Sequence, residues 1–289
     1  MPHRVEIQAS AEHHKMRLED FLLEHFSTLS KMYLREIVKT EGCEVNGRIE
    51  NIGYRIRPND FIEIEVDHSR GTAMKPEDIA LDIVFEDSHI IVVNKPAGML
   101  MHPSHRENSG TLLNALVHHL NRENGRLVRP GLPHRLDKLT SGLVVAAKSA
   151  AAHRRLSEGF MKKRVEKRYL ALVEGLVKED EGVIVAPIGR FADLKMWSVK
   201  TDGKHSESRF LVRERFTDTT LVELEPVTGR TNQLRIHCQL IGHPIVGDVQ
   251  RGGRDYTRLC LHAHKLALLH PVSREHMEFT AEMPGEFRL

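Results

Sequence analysis

The ten residues Pro133 to Gly142, PHRLDKLTSG, set Asp137 two positions after Arg135 and just ahead of the apolar run LVVAA. A carboxylate at the mouth of a buried strand most often shapes a turn, and Thr140 and Ser141 are suited to satisfying the turn's backbone groups. A second turn arginine, Arg230 in PVTGRTNQLRIH, opens a candidate helix. An aspartate held by an arginine is expected to stay ionised, with its pKa lowered from the ordinary value of roughly 4. Such a group accepts hydrogen bonds and attacks electrophiles; it does not donate a proton. Hydrolysis of a glycosidic bond usually takes a second carboxylate, and none is apparent beside Asp137.

Another segment bears on binding. Residues 153–168 hold seven Lys/Arg against two Glu and end next to Tyr169. A cationic helix beside an aromatic ring is able to attract a phosphate backbone and offer a face on which a base stacks. A solvated helix followed by a core tyrosine would read the same way. Histidines number 19, with His118-His119, His262 and His264, and His237 with Cys238 and His243 as tempting groups. His262 and His264 alternate within a candidate strand, which is more often a polar sheet face than a metal site. No metal is expected. The phosphate-cradling glycine motifs, H-E-x-x-H and G-x-S-x-G are all missing, which removes the usual support for nucleotide-binding, zincin and serine-hydrolase readings.

These residues need elements to position them. RLEDFLLEHF places Leu18, Phe21, Leu22 and Phe26 at helical spacing, and Ser30 is placed to cap a second helix running to Thr40. Asn46-Gly47 marks a tight turn, and Ile62, Ile64 and Val66 alternate with acidic residues as in a half-buried strand. Lys31, Arg35 and Lys39 recur at i, i+4 and i+8, a basic ridge expected to face outward and suit phosphates. Over residues 12–70, however, nine Lys/Arg face twelve Asp/Glu, so a merely solvated face fits as well. The polar stretch 68–79 reads as a linker. Beyond it, strands outnumber helices (expected near 111–121, 150–163 and 231–241) without regular alternation, which predicts an α+β domain built on a mixed, largely antiparallel sheet.

At 40% hydrophobic and 28% charged residues the composition is that of a globular protein. No stretch approaches the roughly 18 apolar residues of a membrane span, and the opening residues lack a leader's apolar core. Three scattered cysteines suggest no disulfide framework and fit a reducing cytoplasm. A net charge of +2 is too small to announce a nucleic-acid partner; distribution has to decide.

In this order, VNKPAGMLMHPS, GTLLNAL, PHRLDKLTSGLVVAAKS, EKRYLALVEG, VTGRTNQLRIHCQLIGHPIVGD and LCLHAHKLALLHP closely resemble the RluA family of RNA pseudouridine synthases over residues 80–289. Residues 15–67 resemble the small alpha-L RNA-binding module of the type found in ribosomal protein S-four. The resemblance implies an isomerase, cofactor-free and monomeric, acting on structured RNA, most often that of the large ribosomal subunit. It implies Asp137 as the catalytic aspartate, Tyr169 stacked on the target base and aiding C5 deprotonation, and Arg230 paired with Asp137. Leu234 would cover the other side of the base, and Arg135 would fill the gap left by the flipped uridine. Flipping is required in any case, since the C1′–N1 bond of a stacked nucleotide is out of reach of a side chain. Asn232 stands where a histidine is usual, Leu139 where a polar residue is usual, and Pro133 where a β-branched one is. A transfer-RNA enzyme of the same family, a non-catalytic RNA-binding assembly protein and a glycosidase or nucleoside hydrolase are the competing readings.

Overall fold

The computed structural model describes residues 2–26, 29–67, 75–104, 107–122, 128–194 and 196–287. Part of the expected linker, 68–74, lies outside the described residues.

The first unit is a four-stranded antiparallel sheet, ordered β1-β4-β2-β3, with two helices on it. In chain order these are β1 (His3–Gln8), α1 (Leu18–His25), α2 (Lys31–Lys39), β2 (Cys43–Val45), β3 (Arg48–Ile49) and β4 (Phe61–Val66). Ser30 caps α2 as its spacing predicts, accepting from the Tyr33 backbone N–H at 3.1 Å. Asn46 and Gly47 both take positive φ, as a two-residue hairpin turn between β2 and β3 requires. Ile62, Ile64 and Val66 bury against Leu18, Phe21, Leu22 and Leu34, each large apolar side chain contributing about 1.5–3 kcal/mol. Strand β1, outside the 15–67 boundary expected from the sequence, pairs with β4 along its whole length.

The remaining strands and helices are β5 (Ile83–Glu86), β6 (Ile90–Lys95), α3 (Leu112–Leu120), β7 (Ser141–Ala147), α4 (Ala150–Met161), β8 (Glu166–Glu174), β9 (Glu181–Val185), β10 (Ile188–Phe191), β11 (Met196–Val199), β12 (Glu207–Arg215), β13 (Thr219–Pro226), α5 (Gln233–Leu240), β14 (Leu261–Leu269) and β15 (His276–Thr280). Nine of these strands form one sheet in the order β5-β6-β7-β14-β8-β13-β12-β9, with β15 beside β14, while β10 and β11 make a separate hairpin. Among the described residues its one parallel pair is β7 with β14, so the architecture is the mixed, mainly antiparallel α+β expected.

That parallel pair is the structural centre of the site. It is short, matching only Ser141 with His262 and Gly142 with Ala263. Gly142 lies at φ +116, and a Cβ there would sit 2.4 Å from the Ala263 carbonyl oxygen. Only glycine lets the two backbones approach so closely. Where β7 and β14 part, His134 takes over: its Nε2 accepts the Val145 backbone N–H at 3.1 Å, and its ring stacks on Phe160 of α4 at 4.6 Å. The loop carrying Asp137 is therefore tied to the sheet at both ends.

Candidate active site

Asp137 opens a tight turn, with its backbone carbonyl accepting the Thr140 N–H at 3.1 Å. The backbone, not the carboxylate, closes that turn. Among the described residues the Asp137 side chain makes no hydrogen bond or ion pair. It is half-buried at the floor of a cleft of about 670 Å³. Lys95, at the end of β6, fastens this floor: its ammonium donates to the carbonyls of Pro96 (2.7 Å), Met99 (2.9 Å) and Lys138 (3.3 Å). The Gly98 N–H also donates to the Lys138 carbonyl, at 2.8 Å.

The same cleft is lined by Arg135, Tyr169, Arg230 and Leu234. Tyr169 sits on β8, paired with Leu224 of β13 and Ala263 of β14, at the border of two apolar clusters. Burial pushes its phenol pKa up, and the charge of Asp137 adds to this, so the ring carries its proton throughout the neutral range. Leu234 is buried at 7% exposure on the first turn of α5. Arg135 is exposed at the rim. The geometry brings a carboxylate, an aromatic ring and an apolar side chain to one base-sized recess.

Two expectations about Asp137 need correction. Arg230 does not pair with it; the Arg230 Nε donates instead to the His205 carbonyl at 3.0 Å. The strongest positive charge acting on Asp137 is Arg235, one helical turn into α5, followed by Arg135, Lys95 and Arg251. Its pKa is also raised rather than lowered, because burial outweighs all four cations in the absence of a direct partner. Nothing in the spacing of TGRTNQLR tells which arginine reaches back. Asn232, just before α5, takes a left-handed conformation (φ 55, ψ 20) that breaks the helical phase there. An asparagine tolerates that backbone, and its Oδ1 accepts from Arg235 Nη1 at 3.3 Å.

The basic features are more spent than their sequence implies. Lys31 (3.1 Å) and Arg35 both pair with the buried Glu19, leaving Lys39 as the exposed member of the ridge with no ion pair among the described residues. Burial works to raise the pKa of Glu19, but the two cations lower it overall. In the 153–168 cluster, Arg154 reaches Asp20 of the first unit at 2.6 Å, Lys162 pairs with Glu158, and Arg168 binds Glu166 and Glu223. Lys163 and Lys167 line the cleft. The tempting histidines have other partners: His262 with Ser141 at 2.7 Å, His264 with Glu223 at 3.3 Å, and His237 with Ser206 at 3.0 Å. Among the described residues no three His, Cys, Asp or Glu side chains gather as metal ligands would, and no helix is long and apolar enough to cross a membrane.

Comparison with known proteins addresses the chemistry directly. The family model described as RNA pseudouridylate synthase matches residues 89–240. A Bacillus subtilis protein named as an uncharacterized RNA pseudouridine synthase is 39% identical, with 98% of this chain and 95% of that one aligned. Ribosomal large subunit pseudouridine synthase D of Pasteurella multocida is 34% identical, over 94% of this chain and 89% of its own. The solved structure of human RNA pseudouridylate synthase domain containing 1 matches with a TM-score of 0.59 at 30% identity, covering 73% of this chain and 85% of that one. A free carboxylate in a base-sized cleft is what an isomerase of nucleotides needs, and on this likeness the chain belongs to the RluA family of RNA pseudouridine synthases.

Proposed function

We propose that the enzyme isomerises uridines of large-subunit ribosomal RNA, with Asp137 attacking or assisting at the ribose C1′. The observation that carries this reading is the unengaged Asp137 carboxylate on the floor of the cleft, facing Tyr169 and Leu234. The C1′–N1 bond breaks, the uracil turns between Tyr169 and Leu234, and a C1′–C5 bond forms. N1 gains a proton and C5 loses one. The carboxylate is ionised at neutral pH even with its pKa raised, and burial removes the water that would otherwise blunt it as a nucleophile. Arg135, exposed at the rim, fills the gap left by the flipped nucleotide. Tyr169 is the nearest ring to aid removal of the C5 proton, its own high pKa making it a base only in concert with another group. Arg230 holds the β12 side of the cleft through His205.

The ribosomal assignment is supported by relatives named ribosomal large subunit pseudouridine synthase D in several bacteria, 33–36% identical to this chain. Residues 15–67, with the β1 strand added, serve in this reading as an alpha-L RNA-binding module that presents Lys39 and the exposed parts of Lys31 and Arg35. The enzyme works as a cytoplasmic monomer, since every cleft residue comes from one chain and its three cysteines are buried and unpaired. Asp137→Asn should abolish tritium release from C5-labelled ribosomal RNA while leaving RNA affinity intact, because affinity rests on phosphate contacts. Turnover by the Asn variant would refute the mechanism. Pseudouridine mapping in cells with and without the gene tests the substrate: losses confined to transfer RNA would overturn the ribosomal reading.

A further inference from the structure

Behind the cleft, four charges alternate in sign: Asp137, Arg235, Asp248 and Arg251. Arg235 is gripped edge-on by Asp248, with Nε donating to Oδ2 at 2.6 Å and Nη2 to Oδ1 at 2.7 Å. Both side chains are nearly inaccessible, at 9% and 1% exposure. Arg251 stands 4.0 Å from the same carboxylate. Its Nη1 donates to Gln239 (3.1 Å) and its Nη2 to the Trp197 carbonyl (2.9 Å), while its buried Nε has no hydrogen-bond partner in the structure. Asp137 and Arg235 line one cleft, yet no ion pair joins them.

An arginine left free beside an unpartnered carboxylate forms a bidentate pair with it. Such a pair would cover the oxygens that must meet the ribose and would neutralise the nucleophile. We propose that Asp248 is a positioning residue for the isomerisation: it tethers Arg235 so that the guanidinium stabilises Asp137 from a distance without closing onto it. Arg251 balances the second carboxylate, so two anions are accommodated in one buried layer. The groups that act on Asp137 are then Arg135 on its own loop, Lys95 from β6, Tyr169 from β8, and Arg235 with Arg251 from α5 and the turn after it. Asp248 is the one anion in this layer that restrains Arg235. This inference rests on the assignment of Asp137 as the reacting group.

The test is Asp248→Asn, which keeps the side chain's shape and removes its charge. Released from its anion, Arg235 closes on Asp137 and favours the carboxylate form. The expected result is a kcat about 10- to 100-fold lower, the range in which misplacement of a reacting group falls, with KM for RNA unchanged and the acid limb of kcat/KM moved to lower pH. Asp248→Glu, which keeps the charge, restores most of the rate. Trp197 is the chain's only tryptophan and hangs on Arg251, so its emission reports whether this layer is native. If Asp248→Asn fails that check, the charge-balanced Asp248→Asn/Arg251→Gln variant takes its place and should show the same kcat loss. A native-like variant whose kcat per folded molecule and acid limb both match wild type overturns the proposal. Inactivity of Asp137→Asn with no effect at 248 would separate failure of the tether from failure of the mechanism.

Discussion

Lys95 offers a direct test of how the catalytic floor is held. Its ammonium is 1% exposed and spends its three N–H donors on three backbone carbonyls. Burial, helped by Arg258 and opposed by Asp137, pulls its pKa from 10.5 down to about 8. Below pH 8 both folded and unfolded chains hold the proton, and the burial penalty is present in full. Between about 8 and 10.5 the unfolded chain still holds a proton that the folded chain has released, so stability rises with pH across that window. The displacement from 10.5 to about 8, at about 1.4 kcal/mol per unit, corresponds to about 3 kcal/mol. Other groups titrate there too, so the quantity to measure is the difference between wild type and Lys95→Met. Denaturant unfolding at intervals from pH 7 to 10.5 should show wild type gaining about 3 kcal/mol over the methionine variant as the pH rises. At pH 7 the variant escapes the buried charge but leaves two or three carbonyls without their donor, at about 1–3 kcal/mol each, so its stability there should lie near or somewhat below wild type. In activity, the neutral amine keeps two donors for three carbonyls, so wild-type kcat should decline above pH 8 as the Asp137 loop loosens. Stability curves that run parallel for the two proteins would show that Lys95 is not buried as a cation, and the clamp argument would fail.

Three further outcomes follow from the same geometry. His134→Ala should lose about 2–4 kcal/mol, from an unsatisfied Val145 N–H and the lost stack on Phe160, while His134→Gln keeps an acceptor and recovers the first part. Burial and Lys167 hold the His134 pKa at about 3, so wild type is stabilised as pH rises from 3 to 6.5 and weakened as it falls; calorimetry at pH 4 and 7 should show that dependence reduced in the glutamine variant. Gly142→Ala should cost about 3 kcal/mol or more, since a methyl group cannot fit 2.4 Å from the Ala263 carbonyl at φ +116, and a normal melting temperature would mean that β7 and β14 are not so close. Lys39→Glu should weaken RNA binding and reduce the salt slope by about 1 with no change in melting temperature, whereas an unchanged slope would leave the first unit's ridge a solvated surface.

Local structure was readable where one residue type has one strong use. Ser30 as a cap, Asn46-Gly47 as a turn and the Ile62-Ile64-Val66 alternation each follow from contacts within a few positions, and each stands as expected. Strand β1 has an alternating Val5 and Ile7 but no turn before it, and its partner lies some 55 residues on, at Ile64 and Ile62. Asp137, Tyr169 and Leu234 do share a cleft, and they could be picked out because their segments carry a family pattern. What escaped was the identity of the arginine. Arg230 and Arg235 are five residues apart, and the left-handed Asn232 between them rotates the helix start by an amount that composition does not reveal. Lys95 escaped for a related reason: two of the carbonyls it binds lie one and four residues away, but the third is 43 residues on. Pairings across such distances are fixed by the sheet, and only the folded chain displays them.

The site also illustrates how reactivity and stability oppose each other at one side chain. Burial raises the pKa of Asp137 more than Arg235, Arg135, Lys95 and Arg251 lower it. Between the ordinary carboxylate value and the raised one, the folded chain holds a proton that the unfolded chain has released. Stability therefore falls as pH rises through that window and stays reduced above it. The carboxylate that makes the cleft reactive destabilises the fold at neutral pH, a common trade at active sites. Asp137→Asn, neutral at every pH, should then be at least as stable as wild type at pH 7, with the gap narrowing as pH falls toward 4. Were the four cations the dominant influence, the sign would reverse: removing the anion would leave them to repel one another, and the variant would melt lower at pH 7 than at pH 4 relative to wild type. Paired melting curves at the two pH values decide which influence governs Asp137, independently of any RNA substrate.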